Sequence, residues 1–537
     1  MTPTYRHFAP SLGAELVGEQ NASIAVFRGI PYATTPQRWQ HSTPLDTLSS
    51  PFDASRYGPR CPEAPGDMAA TPGDRDGLPP DDELACLNLN IAVPTTALET
   101  DSDATSRPLP VMVWIHGGAF RFGSNSVPRD RPEAFLAHAI AAGNPLVVVH
   151  IGYRLGPLGF AASSDLADDN SSHGNGLPAG NYGFVDQRNA FQWVQAHIRD
   201  FGGNPENVTA MGVSAGGASV YFHLLTQEPL FDRGVCMSGI APGLGPFPRA
   251  LYETAWGDLC ETLAITDALP NDRVRRLRET PVDQLLASYT EEPLGPGAGG
   301  ALLPAETCYP PPLGLDAIQA PRCKALMLGD SRVEGIIFDG LFAAVPFKDF
   351  IALATTVLGP SNIEGFLNAF QFPCDGDAVS YRDAMRHFFS TVLYHYPNLL
   401  IADRSTTADV FLYHFEEPSV YPGPMHGLPF HGLCSLFLFN NTAAMYPPSQ
   451  QQTARTMAQW WSAFAWGKAP WESYAQQKQV MQLGPEGRCE MTQLDKEEPR
   501  DHTYLPWLKE EGRFDLVKTL IWSLALKTVR MQILKAH

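Results

Sequence analysis

The sequence predicts an α/β fold: one large, mostly parallel sheet covered by helices on both faces, with long loop insertions. Three observations carry that expectation. Short apolar, β-rich runs end in glycine. Between them lie segments whose apolar residues recur at helical spacing. The runs lack the in–out alternation of a half-exposed sheet, as strands buried on both faces do.

Taken in order, LPVMVWIHGG (109–118) is the first such run, and NPLVVVHIGYRLG (144–156) repeats its pattern. VDQRNAFQWVQAHIRDFGG (185–203) reads as a helix stopped by a glycine pair. NVTAMGVSAGGASVYFHLL (207–225) reads as strand, sharp turn and helix. CKALMLGDS (323–331) and ADVFLYHFE (408–416) are expected to be further buried strands. Near the C-terminus, TLIWSLAL is bracketed by Lys518 and Lys527 and is expected to dock as a helix through Leu516, Leu520 and Leu524. Pro/Gly-rich stretches at 62–81, 293–304 and 418–432 read as surface loops or lids. None looks like a linker between independent cores, so residues 1–537 are expected to form one domain.

The balance of 44% hydrophobic to 18% charged residues is that of a globular chain. A net charge of -19 repels phosphate backbones, and no basic cluster offsets it, so nucleic acid is not an expected partner. No stretch approaches the ~18–20 apolar residues of a membrane span. The first twenty residues lack the apolar core of a secretory signal, which suggests a cytoplasmic protein. The N-x-S/T sites at Asn21, Asn170, Asn207 and Asn440 would then be idle. Nine cysteines without C-x-x-C pairs or Cys/His ligand spacing indicate neither a zinc site nor a disulfide scaffold.

Gly212-Val213-Ser214-Ala215-Gly216 fits G-x-S-x-G at the junction of strand and helix. Glycines two residues either side of the serine relieve the crowding of so tight a turn and leave the hydroxyl exposed. His116-Gly117-Gly118-Ala119-Phe120 follows directly on the strand VMVWI. A loop of small residues there lets backbone amides reach a substrate oxygen, which is what an oxyanion hole needs. Its donors are expected to be the amides of Gly118, Ala119 and Ala215.

These segments resemble the type-B carboxylesterase family, which includes the cholinesterases and related lipases. FRGIPYATTP (27–36), CLNLNIAVP (86–94), GNYGFVDQRNAFQWVQAHIRDFGGNPENVTAMGVSAGG (180–217) and FAWGKAPW (464–471) are each similar to a family block, in the family's order. The resemblance implies the α/β-hydrolase fold and a catalytic triad in the order Ser, acid, His. Gly329-Asp330-Ser331-Arg332-Val333-Glu334-Gly335 matches the segment that carries the acid, making Glu334 the candidate. Asp330 and Asp339 would be a loop cap and a surface charge. Two His-Gly pairs, at His426 and His431, compete for the histidine. The family places an aromatic–aliphatic–aromatic strand six to eight residues beyond it. Phe437-Leu438-Phe439 satisfies that count from His431. His116, His150 and His223 are expected to be structural. The resemblance also implies a possible disulfide between Cys61 and Cys86.

The chain departs from the family in ways that bear on substrate. Val213 stands before the nucleophile, where the family usually has an acidic or polar residue. Cys434 stands where Glu or Asp usually follows the histidine, and Gly152 where Asn usually precedes Tyr153. Residues 62–85 hold no aromatic side chain, so that loop offers no cation–π platform for a choline group. The expected function is hydrolysis of small-molecule esters through an acyl-enzyme, with no metal or organic cofactor. Acyl transfer or lactone formation by the same residues, and a non-catalytic binding role, are the alternatives.

Overall fold

The computed structural model describes residues 3–64, 77–99, 107–173, 176–226, 228–240, 245–289, 295–303, 322–405, 408–496 and 500–536. Twelve strands form the path of the main sheet: β1 (Thr4–Ala9), β2 (Ala14–Asn21), β3 (Ile24–Pro31), β4 (Asn88–Pro94), β5 (Leu109–Ile115), β6 (Val147–Ile151), β7 (Gly203–Val213), β8 (Arg233–Met237), β9 (Ala325–Ser331), β10 (Asp409–Phe415), β11 (Gln479–Leu483) and β12 (Cys489–Gln493). Their spatial order is β1-β2-β3-β4-β6-β5-β7-β8-β9-β10-β11-β12, and Phe52–Asp53 adds a short strand beside β2. Pairing is parallel from β6 through β11 and antiparallel at both margins. The expected α/β-hydrolase architecture is thus present.

Each central strand divides its side chains between two cores. Val111, Val113 and Ile115 of β5 enter one, with Phe184, Phe191, Val220 and Phe222. Met112 and Trp114 enter the other, with Phe135, Leu136, Met457 and Trp461. Helices α1 (Glu133–Ala141), α2 (Tyr182–His197), α3 (Ala215–Leu225) and α7 (Pro448–Ala465) supply those partners. Because both faces are buried, the period-2 pattern of inside and outside is replaced by continuous apolar runs. The Tyr153-Arg154 step after β6 has a structural role. Arg154 is 2% exposed and makes a bidentate pair with Asp186 of α2, whose side chain is fully buried.

A third core gathers Phe350, Phe366, Phe388 and Trp507 with Val517, Leu520 and Leu524. The last three lie on the C-terminal helix α8 (Arg513–Ala536), which docks as expected, with Leu516 only partly buried. Among the described residues no single helix is long and apolar enough to cross a membrane.

Two expectations need correction. Phe437-Leu438-Phe439 is not a strand: it ends helix α6 (Leu433–Phe439), which precedes α7 (Pro448–Ala465). All seven residues of α6 are buried, so the run carries no polar face to betray its period. The stretch 418–432 is a surface loop only in part: residues 422–424, His426 and Gly427 are exposed, but its two ends are anchored. Ser419, Tyr421 and Phe430 are buried, and the Val333–Phe430 bridge ties it to the end of β9. The stretches at 62–81 and 293–304 lie partly outside the described residues.

Candidate active site

The functional side chains collect beyond the C-terminal ends of the parallel strands, where open α/β sheets bind ligands. His116 follows β5, Ser214 follows β7, Ser238 follows β8 and the Glu334 turn follows β9. The His431 loop follows β10.

Ser214 has φ 56 and ψ -123, a conformation unusual for a residue with a side chain, and it leads directly into α3. The turn is closed by backbone alone. A Cβ on Gly212 would lie 2.3 Å from the carbonyl carbon of Gly216, and one on Gly216 would lie 2.0 Å from the Ile115 oxygen. The Ser214 amide donates to the Met237 carbonyl at 2.8 Å, fixing the elbow to β8. A Cβ on Gly117 would stand 3.1 Å from that of Ser214, so the two loops touch.

Gly118, Ala119 and Phe120 have positive φ in succession (110, 54 and 59). Such a run turns successive amides toward one concavity, an arrangement that favours negative charge. The Gly118 carbonyl accepts from Arg121 and Phe122, while Gly123 donates to the Glu63 carboxylate at 2.6 Å. The amides of Gly118, Ala119 and Ala215 donate to no carbonyl or side chain among the described residues. His116 supports this loop from beneath. Its ring stacks on Tyr153 at 4.5 Å, the Tyr153 hydroxyl donates to its carbonyl, and burial pushes its pKa down to about 4. It is a neutral structural histidine, as are His150 and His223, which burial lowers to about 3.

Glu334 is fully buried and His431 nearly so, and the His431 Nδ1–H donates to Glu334 Oε2. The other carboxylate oxygen accepts the Ser331 amide at 2.6 Å. Val333 donates to the Pro429 carbonyl at 3.0 Å, and this main-chain link between two loops brings acid and histidine together. His426 is exposed, with its Nδ1 3.2 Å from the Tyr421 carbonyl. Next to His431, Gly432 has φ 77, and a Cβ there would lie 3.5 Å from the Val213 side chain. Cys434 is fully buried between Ser238 (3.7 Å) and the Tyr413 hydroxyl (3.6 Å), its thiol pushed up to about 12 by burial. Val213 and Cys434 therefore add no charge beside the elbow.

Asp330 is not a loop cap. It is fully buried and bonded to Arg500 Nη1 at 2.6 Å and to Asn398 at 2.8 Å. Arg500, 2% exposed, also donates to Glu416 at 2.6 Å. Burial, the largest single influence, would raise Asp330, but Arg500, His395, His414 and the Asn398 hydrogen bond together outweigh it and hold the carboxyl below its usual range. Sequence reasoning missed this cluster because its partners lie 170 positions apart. Arg500→Met is expected to cost about 3–5 kcal/mol of stability, since it strands two buried carboxylates. The urea midpoint of the variant measures this. Asp339 is a partly exposed charge, paired with Arg386. Cys61 and Cys86 are free, buried thiols held against one another, with the Cys61 sulfur also accepting the Leu155 amide.

A model of the carboxylesterase family matches residues 11–501. The phenmedipham hydrolase of Pseudarthrobacter oxydans is 34% identical over 292 residues, 52% of this chain and 51% of that protein. Lipase 1 of Yarrowia lipolytica is 34% identical over 229 residues, 42% of this chain and 43% of that protein. These alignments thus span about half or less of the curated relatives. The para-nitrobenzyl esterase of Bacillus subtilis is 28% identical over 474 residues, 83% of this chain and 87% of that protein. A solved thermophilic PNB esterase superposes with a TM-score of 0.72 at 23% identity, covering 96% of this chain and 100% of that one, which supports the fold.

Proposed function

The chain belongs to the carboxylesterase family, and from that premise we propose that it is a carboxylic ester hydrolase working through an acyl-enzyme on Ser214. The observation that carries the reading is the part-buried His431–Glu334 hydrogen bond, joined to the strained, half-buried Ser214 elbow through the approach of Gly432, next to His431, to Val213, next to Ser214. With Nδ1–H committed to the carboxylate, Nε2 is the basic nitrogen. It takes the Ser214 proton as the oxygen attacks the ester carbonyl, and Glu334 stabilises the imidazolium that forms. The oxyanion is received by the amides of Gly118, Ala119 and Ala215, and α3 directs its N-terminus at the same charge. His431 then protonates the departing alcohol. Water, deprotonated by the same nitrogen, adds to the acyl carbonyl; the imidazolium then protonates the Ser214 oxygen as its bond to the acyl carbon breaks and the carboxylic acid leaves.

The substrate side of the proposal is an uncharged small-molecule ester. Val213 and the neutral Cys434 thiol support it, because a cationic alcohol would find no counter-charge at those two positions. The purified protein is expected to turn over p-nitrophenyl acetate, butyrate and decanoate. Folded protein inert on all of them would overturn the hydrolase reading. Between butyrylthiocholine and its neutral isostere 3,3-dimethylbutyl thiobutyrate, the neutral ester is expected to be preferred by about tenfold in kcat/KM, because the cation would lose hydration with no charge or ring to replace it. A tenfold preference for the cation would refute the uncharged-substrate assignment.

A further inference from the structure

Helix α4 (Ala378–Ser390) and helix α5 (Tyr396–Arg404) form one rod interrupted by a π-helical turn, Thr391–His395. At its end the Tyr396 amide donates to the Thr391 carbonyl, five residues back. Pro397 is the local cause. It has no amide to donate, and in a regular α-helix its ring would strike the Leu393 carbonyl; a widened turn removes that clash. A π turn costs hydrogen-bond quality, and such turns concentrate where side-chain placement matters.

Here the widened turn faces the acid–histidine pair at several points. Just before it, Ser390 Oγ accepts the Gly335 amide at 2.8 Å, immediately after Glu334. At its end, His395 Nε2–H donates to the Ser331 carbonyl at 3.1 Å, and the Ser331 amide is the one that donates to Glu334. Between those two contacts Tyr394, 5% exposed, presents its ring to His431 at 5.4 Å and 65°, edge to face. One segment thus grips the acid's turn on both sides and touches the histidine. Removing the extra residue would rotate everything beyond it by about 100° and break that set of contacts.

We propose that the π-helical turn Thr391–His395 sets the geometry of the His431–Glu334 pair, with Tyr394 as a positioning residue that holds the imidazole plane by its ring edge. This rests on the catalytic reading of Ser214, Glu334 and His431 given above. A histidine bonded at one nitrogen keeps one soft rotation, about the bond to its ring. Proton transfer requires the free nitrogen to stay within hydrogen-bond reach of the serine. An aromatic wall against the ring restricts that rotation without adding a competing hydrogen-bond partner.

The test measures kcat and KM on p-nitrophenyl butyrate for the full chain and for Tyr394→Ala, Tyr394→Leu, Tyr394→Phe and Ser214→Ala, with thermal melts to establish folding. Tyr394→Ala is expected to lose about 10- to 100-fold in kcat with KM within twofold, the usual effect of a misplaced catalytic group. Tyr394→Phe keeps the ring and is expected to restore kcat to within threefold. Tyr394→Leu fills the space without an aromatic face, and it carries the same expectation should the alanine variant not fold. Unchanged kcat in the folded Ala and Leu variants would overturn the positioning role while Ser214→Ala stays inactive. A rise in KM with kcat intact would overturn it too, making Tyr394 a substrate contact. If Ser214→Ala retains the wild-type rate, the catalytic reading itself falls, and the proposal falls with it.

Discussion

Changing His431 to glutamine is expected to lower kcat on p-nitrophenyl butyrate by about 10⁴- to 10⁶-fold, into the range of Ser214→Ala. In the proposed mechanism the two residues act as a unit, because a serine hydroxyl is a weak nucleophile until an imidazole takes its proton. The double variant is therefore expected to be no worse than either single one. Its residual rate would come from the amides of the Gly118 loop and from substrate binding. His426→Gln is expected to stay within twofold of wild type, since that ring is exposed and meets only the Tyr421 carbonyl among the described residues. Steady-state rates on the three proteins decide between the two His-Gly pairs. A large loss at His426 with little at His431 would reverse the assignment.

A steep loss of stability in mild acid is the second expected result. Burial depresses His41, His116 and His387 to about 4, and His150, His223 and His395 to about 3. In the unfolded chain each would take a proton below about pH 6.5. Between pH 6.5 and 4 unfolding therefore takes up protons that the folded state refuses, and stability falls as pH falls. Above pH 6.5 this stability is fully present. Each such group contributes a slope of up to about 1.4 kcal/mol per pH unit. Against a total stability of about 5–15 kcal/mol, several acting together should unfold the protein near pH 5. Asp330 acts in a lower window: its depressed pKa gives stability that is complete above about pH 4 and is lost only below. Urea midpoints followed by tryptophan fluorescence from pH 8 to 4.5 test this, and a flat profile down to pH 5 would contradict burial of neutral histidines.

The parts of the site that were readable in the sequence are those made by neighbouring residues. Gly212, Ser214 and Gly216 must be spaced as they are because their backbones nearly touch, so the pattern itself records the geometry. The small residues at 117–119 record the positive-φ loop in the same way. Glu334 and His431 were reached through family resemblance, and the physical link between them, Val333 to Pro429, is a backbone contact with no side-chain signature. The strand expected at Phe437-Leu438-Phe439 came from the family resemblance, and the fully buried run of α6 offers no periodicity that would correct it. The Asp330–Arg500 pair is not legible locally, because one partner ends a strand and the other lies far along the chain, with nothing in either neighbourhood to pair them. The π turn leaves only Pro397 as a trace, and proline after an aromatic run equally suggests the end of a helix.

The backbone collar around Ser214 also limits how this protein can diversify. Added side-chain carbon at Gly117, Gly216 or Gly239 would overlap main-chain atoms at 2.7, 2.0 and 1.9 Å, so a substitution at any of them must move the backbone around Ser214. Variation in substrate preference, whether in natural descent or in a directed-evolution library, is therefore channelled into the surrounding side chains and the long loops. The chemistry stays fixed in inheritance while the clientele is free to drift.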